Sequence, residues 1–170
     1  APTLDKLDER PLRILAAQFG GETAHGLAVA AVRETWEETG LLIGEPGDVS
    51  VHDRSPLHAA YAAANLRPAP GQLHYILRAI TPARNPIRFN TRFFLADGAA
   101  THGKLQHTTE LEDIGWRPAA VALADFNLMT VTHLALSEAI EHWRENPAPD
   151  PNRPVKRMFN RRSTRLITTE

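Results

Sequence analysis

Apolar positions recur with a helical period over residues 24–39, where Ala28, Val29, Val32 and Trp36 form one stripe and Gly40 stands where a left-handed C-cap is favoured. Residues 127–143 repeat that period, with Leu136, Ala139, Ile140 and Trp143 at i, i+3, i+4 and i+7. Between these helices the period shortens. Residues 72–80 read as β, and residues 88–96 predict the clearest strand. There Arg88, Asn90, Arg92 and Phe94 alternate with Phe89, Thr91, Phe93 and Leu95, so one face is apolar and the other largely polar.

The weaker patterns fill in the rest. Leu4, Leu7, Leu12, Leu15, Ala16 and Phe19, interrupted by Pro11, predict two short helical pieces that Gly20 and Gly21 end. An alanine-rich stretch at 56–66 predicts a small helix stopped by Pro68 and Pro70, and 114–117 predicts a short strand before a helix opened by Pro118. A turn is expected at 44–47 and loops at 81–86 and 97–109. Pro147, Pro149, Pro151 and Pro154 close the last helix, and a basic tail follows with Lys156, Arg157, Arg161, Arg162 and Arg165. With no aromatic but Phe159 among these basic residues, the tail reads as a solvated segment rather than a nucleic-acid surface.

Composition narrows the classes. The chain has 170 residues, 42% hydrophobic and 23% charged, which predicts one domain spanning 1–170 with its own core. A formal net charge of −1 supplies no global field for nucleic acid or an anionic membrane, so an anionic substrate must be met locally. Cysteine is absent, which removes disulfides, zinc–thiolate sites and thiol nucleophiles and is compatible with a reducing cytosol. No apolar run reaches the roughly 18 residues of a membrane span, and the N-terminus lacks a signal-peptide layout. A chain opening on Ala1 is expected to be processed or part of something longer.

The candidate chemistry lies in Arg33-Glu34-Thr35-Trp36-Glu37-Glu38-Thr39-Gly40-Leu41. On a helix, Glu34, Glu37 and Glu38 fall at i, i+3 and i+4 on one face, where their carboxylates repel unless a cation sits among them. Carboxylate oxygens are hard ligands suited to magnesium or manganese, and such ions activate water and neutralise charge in phosphoryl transfer. Arg33, four residues before Glu37, can hold a carboxylate in a fixed orientation. The plainer alternative is a solvated acidic surface; the apolar stripe across the same helix weighs against it.

This segment resembles the C-terminal half of the Nudix box, Arg-Glu-aliphatic-x-Glu-Glu-x-Gly-aliphatic, with only Thr35 departing from the pattern. The resemblance implies an α/β fold, a Nudix-type α/β/α sandwich with a mixed sheet, and a magnesium- or manganese-dependent hydrolase of diphosphate-linked small molecules. By position it implies Glu34, Glu37 and Glu38 as metal ligands, with Glu34 and Glu38 catalytic and Arg33 the orienting partner. The upstream half of the box does not match at Phe19 and His25. Either Gly20-Gly21 is a degenerate box start, or residues 1–23 are a helical insertion that separates the box glycines from the Arg-Glu helix. In the second case the N-terminal strands of the fold lie outside this chain.

Ala79-Ile80-Thr81-Pro82 and Arg88-Phe89-Asn90-Thr91-Arg92-Phe93-Phe94 resemble Thr-Pro and Arg-Phe-Asp-Thr-x-Phe-Phe segments of a Nudix subgroup, somewhat like those acting on coenzyme A derivatives. Glu110 and Glu112 are candidates for an outlying carboxylate, and Arg88 and Arg92 for substrate phosphate. Each has a plain alternative as a solvated or paired surface charge. The eight histidines, His25 included, show no zinc-helix spacing, and Ser50, Ser55, Ser137 and Ser163 lie in no nucleophile elbow. The expected partner is therefore a small diphosphate in the cytoplasm, with neither nucleic acid nor membrane, and a homodimer is compatible. Two alternatives stay open: a Nudix-like module that binds a diphosphate without cleaving it, and an inactive fragment.

Overall fold

A computed structural model describes residues 16, 20–49, 55–82, 85–106, 113–145, 153–161 and 164–170. The helical pieces expected between Leu4 and Phe19, apart from Ala16, and the carboxylates Glu110 and Glu112 lie outside the described residues, as does the proline-rich stretch through residue 152. What is described is mixed α/β, with four α-helices and two sheets. The chain divides into two compact units, Ala1–His74 with Ala96–Gly115, and Tyr75–Leu95 with Trp116–Glu170. No described helix is long and apolar enough to cross a membrane.

The first unit is built on helix α1 (Gly21–Thr39), strand β1 (Leu42–Pro46), helix α2 (Pro56–Ala63) and strand β2 (Leu66–Pro68). Helix α1 buries Ala24, Ala28 and Val32, a line of small residues four apart that lets the helix lie close on its neighbours. Ser55 caps α2 by accepting from the His58 N–H at 3.2 Å, and Pro56 occupies the first turn, where its missing N–H costs nothing. The helix ends short of the expected boundary because Asn65 takes a left-handed conformation, φ 53°, which turns Leu66 into β2.

The turn expected at 44–47 is instead mostly strand. Gly44, Glu45 and Pro46 pair antiparallel with Pro68, Arg67 and Leu66, and β1 is central in a three-stranded sheet of order β2–β1–β5, where β5 is Thr101–His102. Gly44 serves close packing here: a Cβ at this position would lie 3.0 Å from the Arg67 carbonyl oxygen and 3.1 Å from the Tyr61 ring. Tyr61, buried beneath this strand, donates its hydroxyl to the Ile43 carbonyl at 2.7 Å. The expected loop at 97–109 likewise yields β5, whose Thr101 and His102 pair with Ile43 and Leu42.

The second unit carries a mixed sheet of order β4–β3–β6–β7, from β3 (Leu73–Ile80), β4 (Asn90–Ala96), β6 (Lys156–Arg161) and β7 (Thr164–Thr169). Strand β6 runs parallel to β3 and antiparallel to β7. The described part of the basic tail is thus paired into the sheet as β6 and β7, with β7 largely exposed. It is held because Val155 is fully buried and because its cations meet acids: Lys156 reaches Glu138 at 2.7 Å, and Arg157 lies 3.5 Å from Glu170.

Helices α3 (Ala119–Asp125) and α4 (Thr130–Glu145) complete this unit. Ile76, Leu77 and Ala135 form its buried cluster, with Phe93, Leu95, Leu134 and Ala139 against it. Burying a side chain such as Leu77 stabilises by about 1.5–3 kcal/mol. The expected face of α4 packs in part, through Ala139, while Leu134 and Ala135 supply the rest of the contact and Trp143 is 59% exposed. Phe89 also departs from the expected apolar face; it precedes β4 and is 63% exposed. Residues 114–117 form no strand, and Trp116 among them is exposed.

Candidate functional site

Helix α1 holds its acidic half turn away from the buried line. At 100° per residue, Glu34, Glu37 and Glu38 centre roughly 130° around the helix from Ala24, Ala28 and Val32. Arg33 and Glu34 have side chains 51% exposed and Glu37 46%, while Glu38 is half-buried.

Arg33 organises the acids. Its Nη2 donates to Glu34 Oε1, and its Nε lies 3.9 Å from Glu37 Oε2 across one turn. One guanidinium between two carboxylates offsets their repulsion, though with this much solvent around them the pairs stabilise by only a few tenths of a kcal/mol. Their consequence is orientation rather than stability. The donor set, three carboxylates on one helical half turn, is chemically suited to a hard divalent ion. In the conformation described, the three side chains share a face without converging: no group of three or more His, Asp or Glu among the described residues is arranged to hold a metal.

The C-terminal end of the segment is fixed by contacts that the pattern alone did not reveal. Gly40 is left-handed, φ 74°, and its N–H donates to the Trp36 carbonyl at 2.8 Å, as expected of the cap. Thr39 Oγ1 donates to the Thr35 carbonyl and accepts the Leu41 N–H at 3.1 Å. Gln106 donates its backbone N–H to the Thr39 carbonyl at 2.9 Å, satisfying another of the orphan carbonyls at the helix end. Thr35, which departs from the box pattern, donates its hydroxyl to the Ala31 carbonyl at 2.8 Å. The helix thereby absorbs a polar group where an aliphatic one is usual.

Arg88 and Arg92 belong to the other unit. Arg88 is exposed, whereas Arg92 is half-buried and its Nη1 donates to the Asn90 carbonyl at 2.8 Å. Burial, and then the nearby Arg78 guanidinium, hold Arg92 below the usual arginine pKa. Around it the structure brings together residues that sequence reasoning passed over. Arg78 donates from Nη1 to Glu170 Oε2 at 2.9 Å and from Nε to Asn90 Oδ1 at 2.8 Å, and Tyr75 donates its hydroxyl to Glu170 Oε1 at 2.9 Å. An arginine inside the otherwise apolar run Leu73-His74-Tyr75-Ile76-Leu77-Arg78-Ala79-Ile80 was the available signal, since a buried cation demands a partner. Comparison with known proteins finds no matching family model, no matching curated protein and no matching solved structure.

Proposed function

We propose that this chain is a metal-dependent hydrolase of the Nudix type, cleaving a diphosphate linkage in a nucleoside-diphosphate-type small molecule, with coenzyme A derivatives among the substrates to test. The observation that carries the reading is the acidic half turn of α1, with Arg33 set between Glu34 and Glu37 and the helix ended by the left-handed Gly40. The mixed α/β architecture is compatible with an α/β/α sandwich. The lack of cysteine suits work in the reducing cytosol.

Glu34, Glu37 and Glu38 are the residues that would hold magnesium or manganese. Such an ion, when bound, supplies charge neutralisation on phosphate oxygens and a more acidic water. The chain's own contribution is positional. Arg33 limits the orientations open to Glu34 and Glu37, and solvent exposure leaves both side chains free to change rotamer at small cost. Glu34 or Glu38 would accept the proton of the attacking water, a role open to a carboxylate within hydrogen-bond reach of it.

The test incubates the protein with ADP-ribose, NADH, coenzyme A esters and nucleoside triphosphates, with Mg²⁺ or Mn²⁺ and with chelator. Turnover that needs the metal and falls by at least about a hundredfold in Glu37→Gln/Glu38→Gln is expected, since lost electrostatic stabilisation of this kind costs about 10²–10³. Absence of metal-dependent turnover across the panel, or turnover indifferent to the double substitution, refutes it. Metal-dependent binding without product would mark a binding module instead.

A further inference from the structure

Strand β7 lies at one edge of the second unit's sheet, and among the described residues no strand pairs with its outer side. Its hydrogen-bond phase fixes which groups that side presents. Val155 and Glu170 exchange both backbone bonds, at 3.1 and 2.9 Å. Such bonded pairs alternate along an antiparallel ladder. The register runs one for one from Lys156 opposite Thr169 to Arg161 opposite Thr164, so Thr164, Leu166 and Thr168 are the residues that bond to β6. Arg165, Ile167 and Thr169 therefore turn their N–H and C=O groups outward.

Nothing in β7 blunts that edge. Thr164–Thr169 contains no proline, glycine or lysine and pairs with β6 without a bulge, the devices that ordinarily keep an edge from recruiting another strand. Four of its six residues are β-branched and favour extended chain. Ile167 is opposite Met158 and so shares a face with Lys156, which reaches Glu138 of α4; yet α4 leaves Ile167 53% exposed.

The outward groups are spaced symmetrically about Ile167, which makes the edge complementary to itself. We propose that β7 is a self-association surface, pairing antiparallel with β7 of a second copy about a two-fold axis through Ile167 and joining the two sheets into one. In that register Ile167 meets Ile167, and Arg165 meets Thr169 on either side, so every outward group finds a partner and each opposed pair exchanges both of its bonds. The two Ile167 side chains lie opposite each other on the face that carries α4 and shield one another from water. Arg165, the one charge in the strand, is set against a neutral threonine. A slip that centres the axis on Leu166 or Thr168 leaves outward groups of β7 unmatched within the strand, and one centred on Arg165 opposes two guanidiniums.

Sedimentation equilibrium of the protein over about 1–500 µM tests this. A reversible monomer–dimer equilibrium is expected, weakened at least about tenfold by Ile167→Lys, which sets two ammonium groups face to face. Met129→Lys, at an apolar residue outside the strand that is 71% exposed, should associate like the parent. The chain has no cysteine of its own, so single cysteines read the register. Under copper phenanthroline oxidation Ile167→Cys should form a disulfide-linked dimer, since opposed Cα atoms at about 5.5 Å are within disulfide range. Arg165→Cys should cross-link at least about tenfold more slowly, because its two copies are offset by about 13 Å along the strands. A protein that stays monomeric throughout, equal weakening by Met129→Lys and Ile167→Lys, or equal cross-linking of the two cysteine variants overturns the proposal. If Ile167→Lys fails to fold by circular dichroism, the cysteine pair decides.

Discussion

Gly40→Ala probes the cap that ends the acidic helix. At φ 74° a residue with a Cβ costs about 1–2 kcal/mol of left-handed strain. The new Cβ would also lie 2.8 Å from Cγ and 3.0 Å from Cδ of Gln106, nearer than carbon atoms pack, and displacing that side chain adds about 1 kcal/mol. Alanine restricts the unfolded chain and returns about 0.4–1 kcal/mol. The net loss is about 1–3 kcal/mol, read as a lower midpoint in urea at unchanged slope. In a double-mutant cycle with Gln106→Ala, the part of the loss due to Cγ and Cδ should disappear, while the strain and the 3.1 Å approach to the Gln106 Cβ remain. A Gly40→Ala protein within about 0.5 kcal/mol of the parent, a shift typical of featureless surface sites, would refute the account of this helix end.

Two further outcomes follow from the same structure. The chain has two tyrosines, and burial raises both Tyr61 and Tyr75 well above the ordinary value of 10.0, Glu170 adding to the shift at Tyr75. Above pH 10 the unfolded chain loses phenolic protons that the folded chain keeps, so stability is full below that pH and declines as pH rises past it. Ultraviolet titration should show no tyrosinate near pH 10 while circular dichroism reports a folded chain, and ordinary ionisation there would contradict the burial. Arg33→Ala should leave stability within about 0.5 kcal/mol in chemical denaturation, because its pairs are solvent-exposed. The same substitution should lower kcat of the proposed hydrolase; a large stability loss would show that Arg33 is structural.

Helix α1, its Gly40 cap, the small alanine-rich helix from Pro56, and strands β3 and β4 were legible in the sequence, because each follows from local period, composition or the glycine cap. The strand at Gly44–Pro46 was not. Glycine and proline there have the composition of a turn, and only the approach of Tyr61 and of the Arg67 backbone explains why glycine is needed within a strand. The basic tail misled in the same way, since Lys156 and Arg157 read as solvated charges until Glu138 and Glu170 meet them.

The sequence by itself determined the acidic half turn, since spacing along one helix puts Glu34, Glu37 and Glu38 on one face and Arg33 within reach of its neighbours. It equally determined where that helix stops. Tertiary structure alone decided that Gln106 closes the helix end and that Arg78, Arg157 and Glu170 meet, because these partners are distant in the chain and no local periodicity encodes them. Strand pairing made the second of these encounters, since the parallel register of β3 and β6 sets Arg78 beside Arg157.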